Sequence, residues 1–97
     1  MILIVHNDSM SLNIRNITVQ ICTEQMMSMI NTISQQHRYL LDLAFGYRLN
    51  LLCLTILENR PRHAFQFGNC TIELGDQDVV SLLSTLRIHR PDFFYDM

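Results

Sequence analysis

Between Leu12 and Ile21 apolar and polar residues alternate, and from Met26 onward apolar residues recur every three or four positions. A two-residue period turns one side of a strand toward a core, and a 3.6-residue period turns one stripe of a helix toward it. Leu12 and Ile14, then Ile17, Val19 and Ile21, predict two half-buried strands. The stretch from about Glu24 to Phe45 predicts one helix stopped by Gly46, with Met26, Ile30, Ile33, His37, Leu40 or Leu41, and Ala44 as its inner stripe.

This pattern returns fifty-three residues later. Asn16 to Ser34 (NITVQICTEQMMSMINTIS) aligns with Asn69 to Arg87 (NCTIELGDQDVVSLLSTLR), matching Asn16, Thr18, Ser28 and Thr32 to Asn69, Thr71, Ser81 and Thr85. Ile17, Val19 and Ile21 meet Cys70, Ile72 and Leu74, and Met26, Met29, Ile30 and Ile33 meet Val79, Leu82, Leu83 and Leu86. Leu12/Phe65 and Ile14/Phe67 extend the match into the preceding strand. Gly68-Asn69 predicts a two-residue hairpin loop, whereas Arg15 at the glycine's position predicts a longer or bulged one. Thr23 and Asp76 are the expected N-caps, and Glu24 and Asp78 place negative charge in each first turn. The second helix is expected from about Gln77 to Ile88, ended by Pro91.

Two further runs complete the units. Residues 1–5 (MILIV) end in the turn-like His6-Asn7-Asp8, and Leu51 to Leu57 (LLCLTIL) reads as a strand apolar on both sides. Each unit is then βββα. The expected fold is α+β: a two-layer sandwich in which two such repeats form a mostly antiparallel six-stranded sheet, with both helices packed on one face. One domain covers 1–97, with units of about 1–46 and 47–90 and an aromatic tail at 91–97. Ile2, Ile4, Cys53, Thr55 and Leu57 would point to the uncovered face.

Composition sharpens that expectation. The chain is 48% hydrophobic and 16% charged, against a usual charged share of about 25%. So little charge leaves apolar surface exposed, and such surface marks an interface with a second copy or another protein. A net charge of −2 weighs against nucleic acid as the partner. All seven basic side chains are arginine, so lysine Schiff-base chemistry is excluded. Cys22, Cys53 and Cys70 form no CxxC pair and fit a reduced, cytoplasmic protein. MILIV lacks the basic region of a signal peptide. Tyr39 to Leu57 nearly reaches bilayer length, but Asp42 and Arg48 would each cost about 2.5–3.5 kcal/mol at a helix centre, so no membrane span is expected.

Candidate chemistry is sparse. The histidines show no metal-ligand spacing, and there is no glycine-rich phosphate loop, so neither metal nor cofactor is expected. Cys22 precedes a helix start, where the dipole favours a thiolate. A cysteine nucleophile also needs a base, and nothing in the spacing pairs it with His6, His37, His63 or His89. An inert cysteine aligned with Gly75 is the plainer reading. Arg60, Arg62, Arg87 and Arg90 are candidate anion-binding residues, or simply surface charges near helix ends. Phe93, Phe94 and Tyr95 either form a docking segment or fold back over the uncovered face.

Together these features predict a small non-enzymatic interaction module, acting as a homodimer or within a complex. Its contact residues would be Ile2, Ile4, Leu57, Phe93, Phe94 and Tyr95. By size and composition it resembles inhibitors, immunity proteins and adaptors, many carried by phages or other mobile elements. A Cys22-dependent enzyme and an arginine-based nucleic-acid binder are the rival expectations.

Overall fold

A computed structural model describes residues 2–46 and 63–95. The first alternating stretch forms an antiparallel meander of β1 (Ile2–Val5), β2 (Ser9–Ile14) and β3 (Ile17–Cys22). Leu3, Leu12 and Val19 stand side by side on its inner face, and Ile4, Ser11 and Gln20 on its outer face. The second alternating stretch forms a hairpin of β4 (His63–Phe67) and β5 (Cys70–Leu74). Its His63, Phe65, Phe67, Ile72 and Leu74 are buried, while Ala64, Gln66, Thr71 and Glu73 face solvent.

The fold is thus α+β with antiparallel pairing, but its described strands form two sheets, of three and two strands, instead of one sheet of six. Alternation decides which face of a strand is buried and says nothing about which strand lies beside it. The two sheets meet by a side chain here: Arg15 Nη2 donates to the Glu73 carbonyl at 2.8 Å. The strand expected at Leu51–Leu57 lies outside the described residues.

Both hairpin loops have two residues. Arg15 and Asn16 adopt φ of 48° and 67°, and Gly68 adopts 63°. The longer or bulged first loop expected from Arg15 is therefore corrected. Two positive φ values suit the right-handed twist of the flanking strands. The left-handed conformation, unfavourable for an arginine, coincides with the bond that ties the Arg15 side chain to β5.

Among the described residues the α-helices are α1 (Thr23–Gln36), α2 (Arg38–Ala44) and α3 (Asp76–His89). The single helix expected through Phe45 is broken at His37, whose φ and ψ of −136° and 47° lie outside the helical region. The 3.6-residue stripe continues across the break, so periodicity alone could not reveal it. The expected N-caps shift by one residue, to Cys22 and Gly75. Gln25 Oε1 accepts from the Cys22 N–H at 3.0 Å, serving one of the free donors at the start of α1. Asp76 instead opens α3, buried where the helix dipole favours negative charge.

One apolar cluster draws on every one of these elements except β1, whose Leu3 and Val5 pack against it half-buried. Met26, Met29, Ile30 and Ile33 of α1 are buried, as are Val79, Leu82, Leu83 and Leu86 of α3. Helix α3 packs against α2, β1 and β5, and α1 against α2 and β3. Pro91–Phe94 then form a 3₁₀ turn that puts Phe93 and Phe94 into the same core.

Candidate functional site

Strand alternation turns His63 inward with Phe65 and Phe67, and the chain enters α3 at Asp76, two residues after Leu74. The β4–β5 register sets His63 opposite Leu74 and so beside that helix start. There His63 Nε2 lies 2.5 Å from Asp76 Oδ1, with side-chain exposures of 4% and 1%. Tyr39 Oη donates to the same carboxylate oxygen at 3.4 Å. The His37 ring meets the His63 ring edge-on at a centroid distance of 4.4 Å. The break between α1 and α2 thus faces the starts of β4 and α3.

A histidine oriented by an aspartate is the base half of a nucleophilic triad. Such a base must reach substrate, and here its Nε2 is directed at the carboxylate inside a closed interior. The arrangement suits a polar lock joining three elements. Among the described residues every buried side-chain polar atom has a hydrogen-bond partner, so the lock leaves no unsatisfied group to destabilise it.

Sequence reasoning placed His37 in a core stripe and Asp76 at a helix start, and named His63 only among the histidines that could serve Cys22, without bringing the three together. The signal was present in His63-x-Phe65-x-Phe67, whose alternation already puts His63 on the buried side.

The outer face of the β1–β2–β3 sheet is the second feature. Ile2 and Ile4 are 61% and 51% exposed. Beside them Gln20 Nε2 donates to Ser11 Oγ at 2.8 Å, and Asn13 Nδ2 to Thr18 Oγ1 at 3.2 Å. The described part of the tail, through Tyr95, does not cover Ile2 and Ile4. Phe94 packs edge-on against Phe45 at 5.0 Å, and the Arg90 guanidinium sits 4.4 Å above the Phe93 ring. Phe93 and Phe94 are therefore held inside the chain's own fold, leaving Tyr95, 76% exposed, as the accessible aromatic of the three. Leu57 lies outside the described residues.

The arginines are dispersed. Arg90 makes a two-pronged pair with Asp92 at 3.0 Å for each bond. That hydrogen bonding raises the Arg90 pKa and holds the Asp92 carboxyl below its ordinary value. Arg87 lies over the Phe45 ring at 5.2 Å. Arg60 and Arg62 lie outside the described residues. Cys22 is exposed at the start of α1. Among the described residues no helix is long and apolar enough to cross a membrane, and no group of three His, Cys, Asp or Glu side chains could hold a metal ion.

No family model, curated protein or solved structure matches this chain.

Proposed function

We propose that this chain is a small non-enzymatic interaction module of the inhibitor, immunity or adaptor type, acting in the cytoplasm by protein contact. The observation that carries the reading is the outer face of the three-stranded sheet. Two isoleucines stand there side by side on one strand, more than half exposed, beside polar residues that carry no charge. Single exposed apolar residues are ordinary, but an uncharged sheet face with an apolar edge resembles the depleted-charge centre of an interface.

The fold supports the same reading from the other side. The one buried His–Asp pair among the described residues is closed to substrate. The described arginines each have a partner within the chain: Arg15 the Glu73 carbonyl, Arg38 Asp42, Arg87 the Phe45 ring, and Arg90 both Asp92 and the Phe93 ring. Related ancestry of the two halves is part of the proposal. Helices α1 and α3 run over Thr23–Gln36 and Asp76–His89, each bound displaced by the offset seen in the sequence.

The test is a photo-reactive residue at Gln20, on the outer face, with one at Ile88 of α3 as the comparison. Irradiation in lysate of the native host is expected to give a discrete protein adduct from position 20 that is lost with Ile4→Glu. No adduct at 20, or equal adducts at 20 and 88, would overturn the assignment of this face.

A further inference from the structure

We infer that the open edge of β4 is a second contact site, which takes up an extended segment of another protein as an added strand. It shares no residue with the outer face of the three-stranded sheet and does not depend on it. The hairpin register places it. A two-residue loop makes Phe67 and Cys70 a pair that exchanges both backbone bonds, and the exchange recurs at Phe65/Ile72 and His63/Leu74. The N–H and C=O groups of Ala64 and Gln66 therefore point away from β5. Among the described residues no strand pairs with that side of β4, and no hydrogen bond reaches those backbone groups. The other edge of the hairpin differs, because there Arg15 already bonds to the Glu73 carbonyl.

Helix α1 forms a wall beside this edge. A groove of about 200 Å³ is lined by Ala64 to Phe67 of β4 and by Gln25, Ser28, Met29 and Thr32 of α1. Successive strand residues point to opposite faces, so a groove lined by four in a row follows the edge of β4 and not one face of its sheet. The helical residues are spaced i, i+3, i+4 and i+7, which is a single stripe. That stripe is about 10 Å long and four strand residues span about 13 Å, so the two walls match in length. The volume falls below the about 300–1,000 Å³ of a small-molecule site. It suits one short strand better than a compact ligand.

The first unit shows what such an edge accepts. The repeat offset sets Ser11 and Asn13 of β2 against Ala64 and Gln66 of β4. On β2 that edge is held by antiparallel β1: Ile4 stands opposite Ser11, Ile2 opposite Asn13, and Leu3 between them turns inward beside Leu12. Leu12 corresponds to Phe65. A strand added to β4 in the same register pairs two of its residues with Ala64 and Gln66. The residue between them turns toward Phe65 and Met29, both buried and apolar, and is apolar itself. In a second copy Ile2–Val5 is already paired with its own β2. The segment therefore comes from a different protein, recognised by backbone pairing and one inward side chain, as in complexes formed by strand addition.

The probe is a fluorescent eight-residue peptide with Ile-Leu-Ile-Val at its centre and uncharged polar flanks. Its fluorescence polarisation with the full chain is expected to saturate with a Kd of about 10 μM to 1 mM. Binding is weak because so short a strand covers far less than the about 800 Å² per partner of a standard interface. Methylating the backbone nitrogens of the two isoleucines removes donors that face β4 and should weaken binding at least about fivefold. Methylating those of the leucine and valine, which face away, should change it by less than about twofold. Gln66→Pro removes an N–H from the edge and leaves the β5 ladder whole. With unchanged circular dichroism it should weaken binding at least about fivefold, whereas Thr18→Glu, an exposed position on the other sheet, should leave it unchanged. If Gln66→Pro disturbs the fold, the methylated peptides still decide. Absence of saturable binding overturns the inference, and is the result expected if Leu51–Leu57 or a second copy already holds the edge. Equal loss from the two methylated peptides overturns it as well, since apolar adhesion without strand pairing gives that result. Either failure leaves the adduct expected from Gln20 untouched, so the two readings fall separately.

Discussion

His63 Nε2 and Asp76 Oδ1 join the first residue of β4 to the first residue of α3, 2.5 Å apart and almost wholly out of water. The positions that precede them by the repeat offset hold Met10, fully buried, and Thr23, whose hydroxyl donates to the Asp8 carbonyl at 3.3 Å. One unit closes this corner with a methionine and the other with a charged or polar pair. Removing one member of a buried pair leaves the other desolvated and alone, which costs about 3–5 kcal/mol. Asp76→Ala is expected to lose at least about 3 kcal/mol in urea unfolding. The double variant His63→Met with Asp76→Thr, which writes the first unit's residues into the second, should recover about half of that loss. A loss under about 1 kcal/mol for Asp76→Ala would show that the pair does not hold the corner.

Phe93 and Phe94 are core residues, and Tyr95 is not. Truncating a buried phenylalanine costs about 3–5 kcal/mol, a large share of the roughly 5–15 kcal/mol that holds a domain of this size. Phe93→Ala and Phe94→Ala should each lower the melting temperature by more than about 12 °C, and Tyr95→Ala by less than about 4 °C. A chain ending at Arg90 should be largely unfolded by circular dichroism. Retention of native stability after that truncation would mean the 3₁₀ turn is not part of the core.

Arg15 combines an unfavourable φ with a useful bond to Glu73, and two substitutions separate them. Arg15→Ala keeps the left-handed backbone and loses the bond, so it should cost about 1 kcal/mol. Arg15→Gly loses the same bond but relieves the backbone, and should be more stable than Arg15→Ala by about 1 kcal/mol. Equal stabilities by chemical denaturation would remove the argument for strain at this turn.

The Arg90–Asp92 clasp gives the tail a pH dependence of known sign. Hydrogen bonding to Arg90 holds the folded-state pKa of Asp92 below its unfolded value. The clasp therefore contributes fully above the ordinary aspartate range and is lost as pH falls through the lowered native value. Asp92 is exposed and Arg90 partly so, so the effect on global stability is small and screened by salt. Nuclear magnetic resonance of the Asp92 carboxyl should show a titration midpoint that rises toward the ordinary value in Arg90→Gln. An unchanged midpoint would dissolve the clasp.

Much of the secondary structure was legible in the pattern of side chains. Leu12 to Ile14 and Ile17 to Ile21, like Phe65 to Phe67 and Cys70 to Leu74, alternate on either side of a two-residue interruption, and a strand exposes successive residues to opposite sides, so inner and outer faces follow directly. The helical stripes of Met26 to Ile33 and Val79 to Leu86 are equally direct. The face bearing Ile2 and Ile4 could also be read in this way, because an apolar strand beside Ser11, Asn13, Thr18 and Gln20 must leave one side uncovered. The core histidine at His63 was within reach by the same alternation, but loop-like arginines before it concealed the strand's first residue.

The rest depended on contacts between distant segments. Period determines a residue's direction and not its neighbour, so the division of the described strands into two sheets, bridged by Arg15 and Glu73, was invisible in the chain. The break at His37 leaves the apolar stripe intact and was equally hidden. Burial of Phe93 and Phe94 turned on whether Phe45 and the end of α3 left room for them, and that space exists only once α2 and α3 have packed. The sequence by itself determined which side of each described strand and helix seeks the core. Tertiary structure decided which of those sides meet, because packing joins residues that no local period relates.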